Sequence, residues 1–242
     1  AHFQLIYTPE VNLEKAGDIP LLLVFWHPFS NGHAMDMGKP EQFFVVHKGE
    51  KTDLLSKLQP VTFKGAENSS AGYEAKVPVR RLGDYIFAIV PAPYLEKSED
   101  KYIQQLTKSY VNVGGTPSGW DKPIGLATEI VPLNKPTVVL AGSTFTGQLL
   151  SEGKPVAGTE IEVEYMAAEP DMAARKAGTP KAAPPPGGAV VAVTDANGMF
   201  TFGIPKAGFW GFAALGSGPA KEHDGKPLSQ DAVLWVRANE LK

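Results

Sequence analysis

Short apolar runs separated by turn-forming residues are the main feature of the hydrophobic pattern in this chain. Residues 21–26 (LLLVFW) form a continuously apolar run, and residues 2–7 and 42–47 carry shorter ones. Runs of this length, bounded by Gly, Pro, Asn and Ser, predict buried strands. Residues 53–58 have helix-like apolar spacing, but the segment is too short to predict a helix. The pattern therefore predicts an all-β fold with almost no helix.

The second half of the chain contains a series of short apolar segments, and a hairpin-type loop, residues 195–198 (DANG), separates two of them. Seven short strands with frequent Gly and Pro turns are typical of an immunoglobulin-like sandwich. The predicted strands are residues 138–141, 145–150, 161–165, 190–193, 199–204, 209–215 and 233–236.

The length of the chain and a Gly- and Pro-rich segment near its middle predict two domains. A chain of 242 residues exceeds the common single-domain size of about 100–150 residues. The Gly- and Pro-rich residues 114–136 are expected to be an extended link that closes the first domain. This places an N-terminal β-sandwich in residues 1–135 and a second, immunoglobulin-like β-sandwich in residues 136–242. In the first sandwich, residues 73–79 and 84–90 are expected to form an antiparallel hairpin.

Residues 166–188 (MAAEPDMAARKAGTPKAAPPPGG) interrupt the second sandwich and are biased toward Ala, Pro and Gly. Such a composition buries too little apolar area to fold by itself, so a flexible insertion is predicted. Trypsin is expected to cut this insertion before other internal segments, after Arg175, Lys176 or Lys181, with Lys176 preferred.

Composition and charge exclude several classes of function. The net charge of -3 and the isoelectric point near 6.0 provide no basic surface for nucleic acid. The absence of cysteine excludes disulfides, thiolate metal sites and cysteine nucleophiles. No apolar stretch approaches the ~20 residues of a transmembrane helix, so no membrane-spanning segment is expected.

An enzymatic function is not expected either. The sequence lacks the nucleophile elbow G-x-S-x-G, the phosphate-binding P-loop and the dinucleotide motif G-x-G-x-x-G. Its one regular set of carboxylates, Glu160, Glu162 and Glu164, alternates along a predicted strand. That alternation indicates a solvated strand face rather than a catalytic pair.

The histidines are concentrated near the start of the chain, because four of the five lie within residues 1–47. His27 and His33 follow the apolar run in a loop rich in turn formers, where scaffolds often present functional side chains. Imidazole is the commonest protein ligand for late transition metals. A metal site here is weighed equally against ordinary hydrogen-bonded histidines. His47, in the polar context HKGEK, is more simply a surface or hydrogen-bonded residue and is a weaker metal candidate.

The first two residues add a second source of metal ligands. Ala1 at the start fits a mature end left by signal-peptide cleavage, although an engineered start would look the same. The amine of Ala1, the following amide and the imidazole of His2 can form a compact chelate for nickel or copper, which is weighed equally against an ordinary strand residue at an accidental start of the chain. If residues 2–7 pair antiparallel with residues 21–26, His2 is expected to lie near His27, with the loop folding His33 over both.

Several segments together carry a family resemblance: HF near the start, FWHPFSNGHAMDM, PEQFFVVHKGEKTDLLSKL, GWDKPIGLATEIVPLNKP, FTGQLLSEGKPVAGTEIEVEY and TDANGMFTFGIPKAGFWGFAA. Along nearly its whole length the chain resembles the DUF4198 family, described as the periplasmic component of cobalt or nickel uptake systems. The last segment also resembles the generic carboxypeptidase-regulatory or transthyretin-like sandwich. The family resemblance implies metal binding by His2, His27 and His33, with Met35, Asp36 and Met37 as weaker candidates.

Two functions from different classes follow. The first is a periplasmic protein that binds a divalent nickel or cobalt ion, with copper or zinc as alternatives, and delivers it to an inner-membrane transporter. The second is a structural or adhesive module of two sandwiches that binds a protein or a glycan. Retention of partner binding after His27→Ala and His33→Ala would favour the second. Neither the metal, the transporter nor the oligomeric state follows from the sequence.

Overall fold

The computed structural model describes residues 1–242 and contains strands and one 3-10 helix, Leu55–Lys57, with no α-helix. The predicted all-β class is therefore confirmed. No helix in it is long and apolar enough to span a bilayer. In chain order the strands are β1 (Phe3–Tyr7), β2 (Asn12–Leu13), β3 (Gly17–Trp26), β4 (Gln42–His47), β5 (Glu50–Asp53), β6 (Gln59–Lys64), β7 (Ser69–Val79), β8 (Gly83–Val90), β9 (Tyr94–Glu96), β10 (Lys101–Val113), β11 (Thr128–Pro132), β12 (Val139–Leu140), β13 (Thr144–Ser151), β14 (Lys154–Pro155), β15 (Glu160–Tyr165), β16 (Pro170–Asp171), β17 (Lys176–Ala177), β18 (Val190–Val193), β19 (Met199–Gly203), β20 (Gly208–Ala214), β21 (Glu222–His223) and β22 (Lys226–Asn239).

The first half of the chain is built around β3, which is buried on both faces. In its sheet the strand order is β1-β3-β7-β6-β17-β16. Leu21, Leu23 and Phe25 pack toward the layer formed by β4, β8 and β10. The alternate residues, among them Trp26, pack toward side chains from the second half of the chain. Burial on both faces explains why residues 21–26 show no polar alternation.

The second half of the chain is a sandwich of two sheets. One face carries the order β18-β15-β20-β22, and the other carries β11-β13-β14 with β19 paired to β13. Between them lies an aromatic core that includes Phe145, Phe200 and Phe212, whose rings lie 4.9–6.2 Å apart by centroids. Each of the seven strands predicted in this half is present.

Parallel pairing of β10 with β22 joins the two halves into one twelve-stranded sheet. Its register places Tyr102 opposite Leu228 and Lys108 opposite Leu234. Side chains from both halves also share a core, in which Phe3 of β1 contacts Trp235 of β22 edge to face at 5.6 Å. The boundary after residue 135 therefore crosses a continuous sheet, and the division into two domains stays a prediction.

The predicted hairpin between residues 73–79 and 84–90 is wrong. β7 pairs with β3 and β6, whereas β8 pairs with β4 and β10 in the opposite sheet. Residues 80–82 therefore carry the chain from one layer to the other. Two adjacent strands with apolar residues look the same in sequence whether they pair with each other or face each other across a core.

The insertion at residues 166–188 is only partly exposed. Met166, Ala167 and Ala168 are buried in the core, and β17 adds to the edge strand β6. Arg175 is fixed by two hydrogen bonds to the carboxylate of Glu74, at 2.8 and 2.6 Å. The predicted flexible character therefore fits residues 183–189 alone, which are exposed throughout. The consecutive buried residues Met166, Ala167 and Ala168 could not be distinguished from a linker by composition.

We expect limited trypsin digestion to cut first after Lys181 and not after Lys176. Lys181 is 61% exposed and borders the exposed Pro-rich stretch, whereas Lys176 lies in β17 and Arg175 is held by Glu74. Proteases need several residues of unpaired backbone around the cleaved bond. Mass spectrometry of the first fragments is the measurement, and Lys181→Gln should delay cleavage. Early cutting after Arg175 would contradict the placement of β17.

Candidate metal-binding site

Strand pairing brings His2 and His27 together. β1 runs antiparallel to β3, with Phe3 opposite Trp26. His2, which precedes Phe3, and His27, which follows Trp26, therefore lie side by side. Their ring centroids are 4.5 Å apart. Every residue of β1 is buried, and so are residues 21–26 of β3. The two imidazoles thus project from a rigid pair of strands, at the point where both strands leave the core.

The loop after β3 orients the imidazole of His27. Its Nδ1 lies 2.6 Å from the backbone carbonyl oxygen of His33. The loop itself is held closed because Gly32 N–H donates to the His27 carbonyl and the Trp26 indole donates to the Gly32 carbonyl. Since a carbonyl oxygen can only accept, Nδ1 carries the hydrogen and Nε2 of the neutral ring keeps its lone pair.

The lowered pKa of His27 favours the neutral form of its imidazole. Burial lowers the pKa of His27 below its ordinary value, and the nearby positive charges of His2, the first residue and His33 lower it further. The hydrogen bond to the His33 carbonyl acts in the opposite direction but does not outweigh them. A neutral imidazole is the form that binds a metal ion.

A carboxylate orients the imidazole of His2. Nε2 of His2 lies 2.8 Å from Oε2 of Glu96 in β9. The pKa of Glu96 is lowered, first by the hydrogen bond from the Ser98 hydroxyl and then by the bond from His2, so its carboxylate is ionised. An ionised carboxylate only accepts, so Nε2 donates and Nδ1 of a neutral His2 ring keeps its lone pair. Metal-binding histidines commonly donate their second N–H to such a partner.

The amine of Ala1 contacts a carboxylate that the sequence analysis placed on a solvated face. Its nitrogen lies 3.2 Å from Oε2 of Glu164, and Oε1 of Glu164 accepts the backbone N–H of Phe29. Burial raises the pKa of Glu164, although the charge of the amine partly offsets this. The prediction of a solvated strand face is wrong for Glu164, since its carboxylate contacts the start of the chain and the loop after β3. It describes Glu160, which is exposed.

The remaining predicted ligands have structural contacts of their own. His33 is exposed and contributes its backbone carbonyl. Met35 and Met37 are buried in the core, and the sulfur of Met37 accepts a hydrogen bond from Gln4 at 3.5 Å. Asp36 accepts the backbone N–H of Ala71.

His47 belongs to a different part of the molecule. It ends β4, where its ring stacks on Tyr85 at 4.1 Å between centroids. Its Nδ1 lies 2.9 Å from the carbonyl oxygen of Asp84. The interpretation of His47 as a half-buried, hydrogen-bonded residue is therefore the better one.

The assembled site consists of two imidazoles with their orienting acceptors. Nowhere in the structure do three or more histidine, aspartate or glutamate side chains form a group that could hold a metal ion. Sequence patterns gave no role at the site to Glu96, which contacts His2, or to Glu164, which contacts the amine of Ala1. The sequence around each residue does not mark it as part of a site. Glu96 lies in the acidic segment LEKSED, and Glu164 is one of three glutamates that alternate with apolar residues.

Comparison with known proteins identifies the family. The sequence matches the family model described as "Domain of unknown function (DUF4198)" over residues 1–218. The chain belongs to the DUF4198 family. A search of curated proteins found no match.

Several solved structures match the chain over nearly its whole length, each at low sequence identity. The D0-D1 domain of Intimin is 11% identical, with a TM-score of 0.26, and the match covers 98% of this chain and 100% of that one. The N-terminal eight immunoglobulin domains of Down Syndrome Cell Adhesion Molecule are 13% identical, with a TM-score of 0.23, covering 100% and 28%. The fibronectin(III)-like modules of Clostridium thermocellum CbhA are 10% identical, with a TM-score of 0.21, covering 98% and 95%. At these TM-scores the likenesses carry no argument about function.

Proposed function

We propose that this DUF4198 protein binds one nickel or cobalt ion through His2 and His27 in the periplasm and delivers it to an inner-membrane uptake system. One observation carries the metal site: two imidazoles 4.5 Å apart by centroids, each with one ring nitrogen already hydrogen-bonded to an acceptor. The periplasmic location and the uptake system rest on the resemblance of the sequence to this family.

The chemistry of the site suits a late transition metal. Two neutral imidazoles are borderline ligands, which nickel, cobalt, copper and zinc accept and magnesium or calcium disfavour. Metal–nitrogen bonds of about 2.0–2.1 Å allow two rings at this separation to share one ion after small side-chain rotations. The backbone carbonyl of His33 and the carboxylate of Glu96 hold the rings in the required tautomers, which reduces the entropy lost on binding.

Isothermal titration with nickel, cobalt, copper and zinc tests the proposal. We expect at least one of these ions to bind with a dissociation constant below about 0.1 mM and a stoichiometry of one. His27→Ala should abolish the heat of metal binding, whereas His47→Ala should leave it unchanged. The second variant removes a histidine of similar burial from the other sheet. Failure of all four ions to reach this affinity would remove the metal site from the model of function.

Metal affinity is expected to fall as the pH is lowered. Protons compete with the metal for the ring nitrogens, and an ordinary histidine titrates near ~6.5. Because burial holds the pKa of His27 below that value, this ligand stays available to a lower pH than a free imidazole. We therefore expect a loss of at least about tenfold between pH 7 and pH 5, most of it below pH 6. Nickel titrations across this range are the measurement, and a flat profile would argue against imidazole ligands.

A second candidate, an adhesive or structural module, is favoured by one observation. β18 is the outermost strand of the twelve-stranded sheet, and its Val191 and Val193 are 43% and 59% exposed. A free edge with exposed apolar side chains can accept a strand from a partner. Partner binding that is lost in Val193→Lys and retained in His27→Ala would favour this function over metal delivery.

A further inference from the structure

A cavity of about 160 Å³ lies directly beside His2. Its walls come from the start of the chain, the beginning of β10, the middle of β15 and the beginning of β22. The residues that matter for its chemistry are His2, Lys101, Gln105, Glu162, Ser229 and Asp231. The volume corresponds to about five water molecules, taking ~30 Å³ for each. This is enough for a small organic molecule.

Asp231 forms the floor of the cavity and is almost completely buried. It is 1% exposed, and its carboxylate accepts hydrogen bonds from the backbone N–H of Gly216 and from the side chains of Ser229 and Gln105. Burial raises the pKa of Asp231 to about 6. A buried carboxylate that lines a cavity is a common feature of binding sites, because a charged partner there is shielded from water.

Gln105 connects this floor to the metal-binding strand. Its side-chain nitrogen donates to Asp231 at 3.2 Å and to the carbonyl oxygen of His2 at 2.8 Å. Its side-chain oxygen accepts the backbone N–H of Gln4 at 2.8 Å. The position of His2 is therefore fixed relative to the cavity, and a molecule in the cavity would lie against this residue.

Charges of both signs line the cavity. Lys101 stands on one side, with its ammonium 3.0 Å from Glu99, and Glu99, Glu162 and Asp231 supply carboxylates. A molecule with a cationic and an anionic group matches this distribution better than an ion of either sign. The smallest abundant molecules of this kind are α-amino acids, whose amine and carboxylate are separated by one carbon.

The metal site itself requires additional ligands. His2 and His27 supply two imidazoles, and no third histidine, aspartate or glutamate side chain joins them to form a metal-holding group. A four-coordinate ion would then have two open positions. An α-amino acid fills two positions through its amine nitrogen and one carboxylate oxygen. The bound amine still carries N–H groups, and the carboxylate still carries a free oxygen, so both remain able to contact the cavity walls.

We propose that the cargo is a metal ion chelated by a small α-amino acid, with the metal at His2 and His27 and the amino acid in the cavity floored by Asp231. This inference rests on the proposed function and names its substrate class. Asp231 and Glu162 accept hydrogen bonds from the amine, and Lys101 binds the free carboxylate oxygen. His2 belongs to both parts of the site, because the residue lines the cavity and its imidazole ligates the metal.

Nickel titrations with and without about 1 mM glycine test this inference. If glycine binds with the metal as a ternary complex, the apparent nickel affinity of the protein rises, by about tenfold or more. If it does not bind with the metal, the apparent affinity stays the same or falls, because glycine then only competes for free nickel. An unchanged or lower affinity would overturn the inference and leave the proposed function intact, whereas no nickel binding in either buffer would overturn the proposed function.

Two variants locate the amino acid. Asp231→Asn and Lys101→Gln should each bind nickel alone within about twofold of the parent and lose most of the enhancement by glycine. Glu50→Gln, on the exposed hairpin strand β5, should keep it. If glycine still raised the nickel affinity by the full amount in both cavity variants, the placement of the amino acid in this cavity would be overturned. Loss of nickel binding without glycine in Lys101→Gln, with an unchanged circular dichroism spectrum, would also overturn it, because the residue would then serve the metal itself.

Discussion

Replacing Lys108 with methionine is expected to lower the free energy of unfolding by about 3–5 kcal/mol. Its ammonium lies 2.9 Å from Glu129, and the two side chains are 1% and 3% exposed. Burial alone would lower the pKa of Lys108, but neighbouring Tyr110 and Glu129 outweigh it and raise that pKa. The variant leaves the carboxylate of Glu129 buried without its counter-charge, and the unpaired charge accounts for the loss.

Urea denaturation measures this effect, and two further variants control for it. Lys15→Met changes the same residue type at an exposed position and should shift stability by less than about 0.5 kcal/mol. Lys108→Met combined with Glu129→Gln removes both charges and keeps one acceptor oxygen for nearby backbone N–H groups. This double variant should recover more than half of the loss. A single Lys108→Met variant as stable as the parent would contradict a charged pair at this position.

The same carboxylate explains why the predicted link is an ordered part of the fold. Glu129 accepts the backbone N–H groups of Ile124 and Gly125, at 2.8–3.1 Å. Asp84, also buried, accepts those of Ser118 and Trp120. Backbone groups of a Gly- and Pro-rich segment have few partners of their own, so two buried acids supply them. In sequence Asp84 lies outside the link and Glu129 lies within it, and neither gives a sign of this role.

Strand positions could be predicted from sequence, but their partners often could not. Apolar runs and turn residues reflect local burial, which is why the seven strands of the second half were found. The parallel pairing of β10 with β22 joins residues 126 positions apart, such as Gln104 and Gln230. Nothing local distinguishes that partner from another apolar strand, and the same limitation produced the wrong β7–β8 hairpin.

The candidate site likewise combines a local strand pairing that sequence can indicate with distant residues that it cannot. The approach of His2 to His27 depends on two neighbouring strands with one short connection, and a sequence can indicate such a pairing. Glu96 and Asp231 reach the site from β9 and β22, far away in the chain. Asp231 lies in the segment SQDAVLWV, where a single acid beside an apolar run predicts a strand end. Its place under a cavity depends on how β22 packs against β10.

Combining His2→Ala with His27→Ala is expected to weaken nickel binding by at least about hundredfold, equivalent to ~2.7 kcal/mol. Each imidazole presents one nitrogen whose lone pair is free because the other nitrogen donates to Glu96 or to the His33 carbonyl. Removing either ring breaks the chelate, so each single variant should already cost more than tenfold. The double variant should cost less than the sum of the two, because the second loss acts on a site that no longer chelates.

His33→Ala is the matched control, because it removes a neighbouring imidazole and keeps the backbone carbonyl that orients His27. It should change the nickel affinity by less than about threefold. Glu96→Gln keeps an acceptor for His2 but loses the negative charge, and loss of such a partner typically costs about 10–100-fold in affinity. A loss in His33→Ala as large as in His27→Ala would mean that the exposed ring of His33 turns inward to bind the metal. The loop that holds Nδ1 of His27 would then have to open, since its closed form uses the His33 carbonyl.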